Sequence, residues 1–381
     1  MSDKPVAIIY KQQMLSYSET FIQNQAEALQ NFQAHYVCSR LLEKGLCIPQ
    51  DRTLTINQGE LLGKINEITS KLGYFKPCFI QQLKNLNPVL IHAHFGSDAV
   101  IALPIARKLN IPLLVTFHGS DITIKDKFVK PSLNKLLYMQ RIEVLKQDAR
   151  LFIAVSNFIK GKLIERGFPT NKVIVHYIGI NTRLFQLDPA VQRRPVVLFV
   201  GRLIENKGCE YLIQAMSKVQ AVMPEVELVV IGDGLLLPRL QQLAEAKLRR
   251  YQFLGVQPSE VVRIWMNQAK IFCVPSITIN SGASEAFGLV FAEAQAMGLP
   301  VVSFATGGIS EVVADGETGL LTTERDWEGL SANILRLLGN QELWQKFSQK
   351  ARERVSNLFD LQKQTQVLEN LYRNRVLYNK I

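Results

Sequence analysis

No two aspartates in this sequence stand two residues apart, so the Asp-x-Asp clamp that holds a metal ion and a diphosphate is absent. A diphosphate bound here would need its counter-charge from Lys or Arg. No stretch approaches the ~18 consecutive apolar residues of a membrane span. The run Val6 to Tyr10 is too short for the apolar region of a signal peptide, so it is expected to be a buried first strand. These features predict a protein that is cytoplasmic or lies on a membrane surface. The five cysteines (Cys38, Cys47, Cys78, Cys209, Cys273) are odd in number and never spaced Cys-x-x-Cys, which argues against a disulfide framework or zinc site. They are expected to be buried thiols in a reducing compartment. There is also no low-complexity tract and no short-period repeat.

The chain has 381 residues, 47% of them hydrophobic and 20% charged, which suits two soluble globular domains. Short apolar runs recur between helical stretches: residues 6–10, 35–39, 89–95, 112–119, 150–156 and 173–179. After the polar stretch Asp188 to Pro195 the pattern restarts at 195–201, 226–234, 251–256, 269–276, 300–304 and 318–322. Strands alternating with helices imply parallel sheets, and near-continuous Val/Ile/Leu strands imply cover on both faces. The expected fold is therefore α/β, with two similar lobes and ligands at the carboxyl ends of the strands. The segment from Asp360 to Ile381 has helical period, with Leu361, Val367, Leu368, Leu371 and Leu377 as apolar anchors.

The formal charge of +11 is uneven. Residues 1–190 hold 23 Lys and Arg against 14 Asp and Glu, leaving a near-balanced second half. The density peaks from Thr123 to Lys172, a surface that could meet anionic lipid, a phosphate-bearing acceptor or nucleic acid, or could simply be solvated. Nucleic acid is disfavoured because aromatic residues are scarce among those lysines. Phe128, Leu133, Leu136, Leu137 and Ile142 with the interspersed Lys could form an interfacial helix, and some of them could equally belong to the core.

Five local patterns carry candidate chemistry. In VGRLIENKG, at a strand end, Gly201 lets a backbone approach closely while Arg202 and Lys207 could hold a diphosphate, or lie solvated on a turn. In SEAFGLVFAEAQAMGLP, a helix starting near Gly288 puts Glu285 on the preceding loop and Glu293 on the second turn. Free amides at such a helix start favour a phosphate, and the two carboxylates could meet sugar and ribose hydroxyls, or face solvent. Gly307 and Gly308 open a further helix and could bring amides to a nucleotide; Gly232 to Gly234 is a weak Gly-x-Gly signal. In the first half, His92 and His94 share one side of a strand, and His118 follows another strand in FHGSD. The His-x-His pair could be two metal ligands, but no Cys or carboxylate cluster completes a site, so no metal and no cofactor are expected.

In combination these motifs resemble the group 1 (family four) retaining glycosyltransferases over nearly the whole chain. That resemblance implies the GT-B fold, with two Rossmann-like, doubly wound lobes facing a central cleft. The implied division is an acceptor-binding domain 1–188, rejoined by a C-terminal helix 362–381, and a donor-binding domain 189–361. Arg202 and Lys207 would then bind the donor diphosphate, Glu285 the transferred sugar and Glu293 the ribose. Gly201, Gly232 and the backbone of Phe287, Gly288 and Leu289 would complete the cradle, and His118 would lie near the sugar. Asp121, Ser156 and Ser18 are weaker carry-overs on the sugar or acceptor side. Many relatives have a Gly-Gly loop after the first strand, whereas this chain has KQQMLSYSETF, with Ser16 and Glu19 spaced as a capping box. That segment and HAHFGSDA resemble the exopolysaccharide, colanic-acid-type subgroup.

The implied function is transfer of a hexose from a UDP- or GDP-sugar to a lipid-linked or saccharide acceptor, without a metal. Exopolysaccharide, lipopolysaccharide or glycolipid synthesis on the inner leaflet would be its setting. A sugar-nucleotide epimerase or glycogen-type synthase of the same fold, and a non-catalytic anionic-surface or nucleic-acid-binding protein, remain as alternatives.

Overall fold

A computed structural model describes residues 4–57, 59 and 61–377; the last four residues of the expected C-terminal helix, 378–381, lie outside the described residues. Contacts divide the chain into two compact units, one of residues 1–179 with 361–381 and one of residues 180–360.

The first unit holds a seven-stranded parallel sheet in the order β3-β2-β1-β4-β5-β6-β7. The strands are β1 (Val6–Met14), β2 (Gln33–Leu41), β3 (Thr53–Thr55), β4 (Pro88–His94), β5 (Leu113–Phe117), β6 (Leu151–Ala154) and β7 (Val173–Val175). The second unit holds a six-stranded parallel sheet in the order β10-β9-β8-β11-β12-β13. Its strands are β8 (Val196–Val200), β9 (Glu227–Ile231), β10 (Tyr251–Phe253), β11 (Ile271–Cys273), β12 (Val301–Phe304) and β13 (Gly319–Thr322). The doubly wound α/β architecture read from the apolar runs is thus present in both units. Each order reverses once, between β1 and β4 and between β8 and β11. Loops leaving such neighbours diverge and open a crevice at the carboxyl ends of the strands.

Twelve of these strands coincide with the apolar runs. The extra one, β3, is a three-residue edge strand whose residues are all half-buried, too short to stand out. Strand β1 outlasts its apolar run by four residues because the chain stays paired with β2 through Lys11 to Met14. Burial is not uniform among the cysteines: Cys38, Cys209 and Cys273 are buried, but Cys47 and Cys78 are exposed.

The final helix, Leu361–Leu371, packs on the first sheet and continues as a π turn over Tyr372–Leu377. Its buried Glu369 accepts the amides of Gln30 (2.8 Å) and Asn31 (2.6 Å) and the Asn31 side-chain amide (2.6 Å). Three donors on one carboxylate tie the helix to the turn before β2. Glu369→Ala should therefore lower the unfolding free energy by about 2 to 4 kcal/mol, the scale of stranding buried partners of a charged acceptor. Glu369→Gln should cost less. Denaturant melts of the three proteins measure this, and equal midpoints would refute it.

Candidate functional site

In the second unit, Lys207 follows β8 and Glu285 follows β11, the two strands at the order reversal. Lys207 Nζ pairs with Glu285 Oε2, the side chains being only 16 and 13% exposed. Fully buried Ser276 donates to the same oxygen at 3.5 Å. The two loops meet because Gly208 has φ +65° and a Cβ there would lie 1.9 Å from the Pro275 carbonyl oxygen. Only glycine fits both conditions. The Ile277 amide then bonds the Asn206 carbonyl at 2.9 Å, holding the loops in register.

Gly232, at φ +138°, lets the loop after β9 press on Gly201, whose carbonyl oxygen would be 1.9 Å from an added Cβ. Arg202 stands exposed beside this contact and makes no side-chain hydrogen bond among the described residues. The helix Leu289–Ala296 starts after Gly288 and carries Glu293 on its second turn. Its first amides lack intrahelical partners and carry the positive end of the helix dipole. Phe287 is buried, its ring edge-on to Phe359 at 5.3 Å. The Gly308 amide donates to the Glu285 carbonyl at 2.9 Å. That amide anchors the Glu285 backbone and is not available to a nucleotide.

Glu293 is enclosed enough that burial pushes its carboxyl up to about 8, opposed by the positive charge of Arg263. Its neutral form is favoured by that burial.

In the first unit, the strand ends carry a row of imidazoles. His92 bonds the Tyr372 hydroxyl (2.7 Å) through Nδ1 and Thr116 (2.6 Å) through Nε2, so it is a satisfied core residue. His94 stacks on His92 with centroids 4.5 Å apart, and its Nδ1 lies 3.0 Å from His118 Nε2. Burial lowers all three, His92 and His118 to about 3, so the row is neutral. His118 Nδ1 is buried and has no hydrogen-bond partner among the described residues. Phe21 and Phe95 flank the His118 ring at 4.8 Å each. Phe95 has φ +72°, an uncommon conformation for a bulky residue and a local strain at the strand end.

Asp121 accepts the Gly96 and Gly119 amides at 3.0 Å each, and burial raises its carboxyl to about 6. Ser156 caps the helix Asn157–Glu165 by accepting the Ile159 amide at 3.1 Å. Ser18 is exposed, 3.1 Å from Ser16 Oγ. The Glu19 carboxylate accepts the Ser16 amide at 2.8 Å, as the capping box requires, and pairs with Lys11 at 2.9 Å.

Sequence reasoning missed Lys11, Asp98, Ser276 and Arg263. Lys11 lies 5.1 Å from the Phe95 ring centroid, and the buried Asp98 accepts both nitrogens of Gln12. A signal existed for Lys11, which directly follows the first apolar run; the others have no local pattern.

Two family models cover most of the chain: Glycosyltransferase Family 4 over residues 18–184, and Glycosyl transferases group 1 over residues 183–354. WcaL of Salmonella typhimurium, named as a colanic acid biosynthesis glycosyltransferase, is 29% identical across 71% of this chain and 66% of its own. The amylovoran biosynthesis glycosyltransferase AmsK of Erwinia amylovora is 31% identical across 64% of this chain and 60% of its own. The chain thus spans a little under two thirds of the length of these two relatives. Among solved structures, Anabaena HepE in complex with UDP and glucose superposes with TM-score 0.76 at 23% identity, covering 96% of this chain and 99% of that one.

The Glu293 environment gives a signed pH dependence. Between about 4.5 and about 8 the unfolded chain has released this proton and the folded chain keeps it, so stability falls as pH rises through that window. Glu293→Gln should flatten the slope, melting above the parent at pH 8 and level with it near pH 5. Parallel melts in both buffers test this; identical slopes would rule it out.

Proposed function

The chain belongs to the group 1 (family four) glycosyltransferases of the GT-B fold, and from that premise we propose that it is a retaining, metal-independent hexosyltransferase of the exopolysaccharide type. The donor is a nucleotide diphosphate sugar, UDP- or GDP-linked. The acceptor is lipid-linked or saccharide, in exopolysaccharide, lipopolysaccharide or glycolipid synthesis. The reaction runs in the cytoplasm, at the inner leaflet. The second unit holds the donor and the first unit the acceptor.

One observation carries this reading: a half-hidden Lys207–Glu285 pair at the sheet's order reversal, beside the start of the helix Leu289–Ala296. A diphosphate brings two acceptor groups that outcompete one carboxylate for Lys207, and exposed Arg202 can close on the same group bidentately. Glu285 is released by that exchange to receive sugar hydroxyls. Charge developing on the departing diphosphate is then met by fixed cations and helix amides, with no need for an enzymatic nucleophile. As the sugar–oxygen bond to the diphosphate breaks, the acceptor hydroxyl attacks the anomeric carbon on the same face and passes its proton to the departing diphosphate oxygen, giving retention. Glu293, on the second turn, receives the ribose hydroxyls. In the first unit, the unpartnered Nδ1 of His118 is an atom left to meet a substrate hydroxyl.

Lys207→Ala and Arg202→Ala should each lower turnover by ~10²-fold, the scale of losing one charge-stabilising group. Melting curves should accompany the assay, because Lys207→Ala also strands the Glu285 carboxylate. Near-normal turnover in both variants would overturn the assignment. Activity should persist in EDTA, and the product anomer read by NMR should match the donor. A thermal-shift panel of UDP, GDP and ADP sugars identifies the base, because ligand that binds the native state raises its melting point. UDP is the first to try, since the HepE structure was solved with it.

A further inference from the structure

The helix Leu61–Leu72 is strongly amphipathic and faces the wrong way for a globular protein. Leu62, Ile65, Ile68 and Leu72 recur on one face and are 61, 56, 53 and 47% exposed; Tyr74 just beyond is 74% exposed. A surface helix ordinarily turns such a stripe inward. Here the polar side is packed instead. Ser70 is completely buried, and Glu67 accepts the Asn57 side-chain amide at 3.3 Å and pairs with Lys71 at 3.4 Å. Gly63 presses on Asn57 closely enough that a Cβ would sit 2.2 Å from its side-chain oxygen. At the other end, Arg141 grips the carbonyls of Lys71 (2.7 Å) and Leu72 (3.2 Å). The helix is therefore pinned at both ends and cannot rotate its leucines and isoleucines under cover.

The charges around it select the partner. A broad groove of about 950 Å³ at the ends of β2 and β3 reaches the helix, and among its lining residues Arg40, Lys44 and Lys64 outnumber Glu43. Lys64 projects from the helix itself and, with Lys76 after its end, is exposed. By contrast, the basic stretch 123–172 is partly committed. Lys135, Lys146 and Lys172 each donate to backbone carbonyls, and Arg166 is taken by Asp126 and the Ile124 carbonyl. Of the apolar residues expected to face lipid there, Leu137 is buried, while Phe128, Leu133 and Leu136 are exposed.

We propose that the helix Leu61–Leu72 is a membrane-docking element that lays its leucine and isoleucine face into an anionic phospholipid bilayer, with Arg40, Lys44 and Lys64 meeting the headgroups. An apolar face bordered by cations is the signature of a helix lying in the interfacial plane. Contiguous exposed apolar surface of this kind in a soluble fold marks an interaction site. This deepens the inner-leaflet reading above and does not depend on turnover.

The test is flotation of the full chain with vesicles of phosphatidylcholine, alone or mixed with phosphatidylglycerol. The parent should float with the mixed vesicles more than with the neutral ones. Ile65→Glu with Ile68→Glu should weaken binding at least about tenfold, since each aliphatic side chain lost from the interface is worth about that much. Lys64→Glu should weaken binding to mixed vesicles only, and Val222→Glu, on the second unit, should bind as the parent does. Ile65 and Ile68 both face solvent, and the double variant's melting point and donor-induced thermal shift verify its fold. Undiminished flotation of the double variant would overturn the proposal while leaving docking elsewhere; absence of flotation by the parent would overturn both. A parent that is dimeric without lipid, and a double variant that is monomeric, would instead assign the face to a second copy of the chain. Transferase activity is assayed separately with a water-soluble acceptor, so its loss or survival bears on the catalytic reading alone.

Discussion

The Lys207–Glu285 pair depends on a contact between two backbones, and most of the second unit's site follows from that contact. Lys207 belongs to the loop after β8 and Glu285 to the segment after β11, and nothing in their separation of 78 positions brings them together. Gly208 against Pro275 does so, and Gly308 then fixes the Glu285 carbonyl. An ion pair this enclosed has lost much of its hydration, so it is a weak source of stability compared with what it costs to assemble. Its value is that it stores a cation near a helix start without collapsing the loop.

The first unit handles polarity at its strand ends differently. Its histidines are neutral, stacked and largely satisfied, from Tyr372 through His92 and His94 to His118. The charged exception is Lys11, balanced by Glu19 and placed over Phe95, which holds a strained backbone at the same edge. Burial favours the neutral form both of the first unit's histidines and of Glu293 in the second.

Strand positions were legible because a parallel sheet covered on both faces needs unbroken apolar runs, which stand out against any background. The helix start at Gly288, and with it the places of Glu285 and Glu293, was legible from the glycine and the apolar stripe that follows. What the sequence could not reveal were pairings that depend on tertiary approach. Ser276 has no local pattern, and its oxygen matters only because the β11 loop folds back toward Lys207. Of the Gly307–Gly308 amides, that of Gly308 is taken by the Glu285 carbonyl, a pairing no local pattern announces. Within the lysine-dense stretch from 123 to 172, cations that cap carbonyls and cations that face solvent are identical in composition.

The orientation of Leu61–Leu72 follows the same logic in reverse. Periodicity identifies an amphipathic helix but is silent on which side is inside; the apolar side is inside only when no other constraint outweighs its burial. Here the constraint is the set of small and polar residues on the opposite face. Gly63 and Ser70 are small enough to approach the unit closely, and Glu67 finds partners on that side. Turning the helix over would bury the aliphatic stripe but would also strand Glu67 and Lys71 and push larger side chains into the space that Gly63 and Ser70 fill. Leaving four aliphatic residues in water is the smaller penalty only if something apolar later covers them, and the lysines and arginine beside them narrow that cover to an anionic surface.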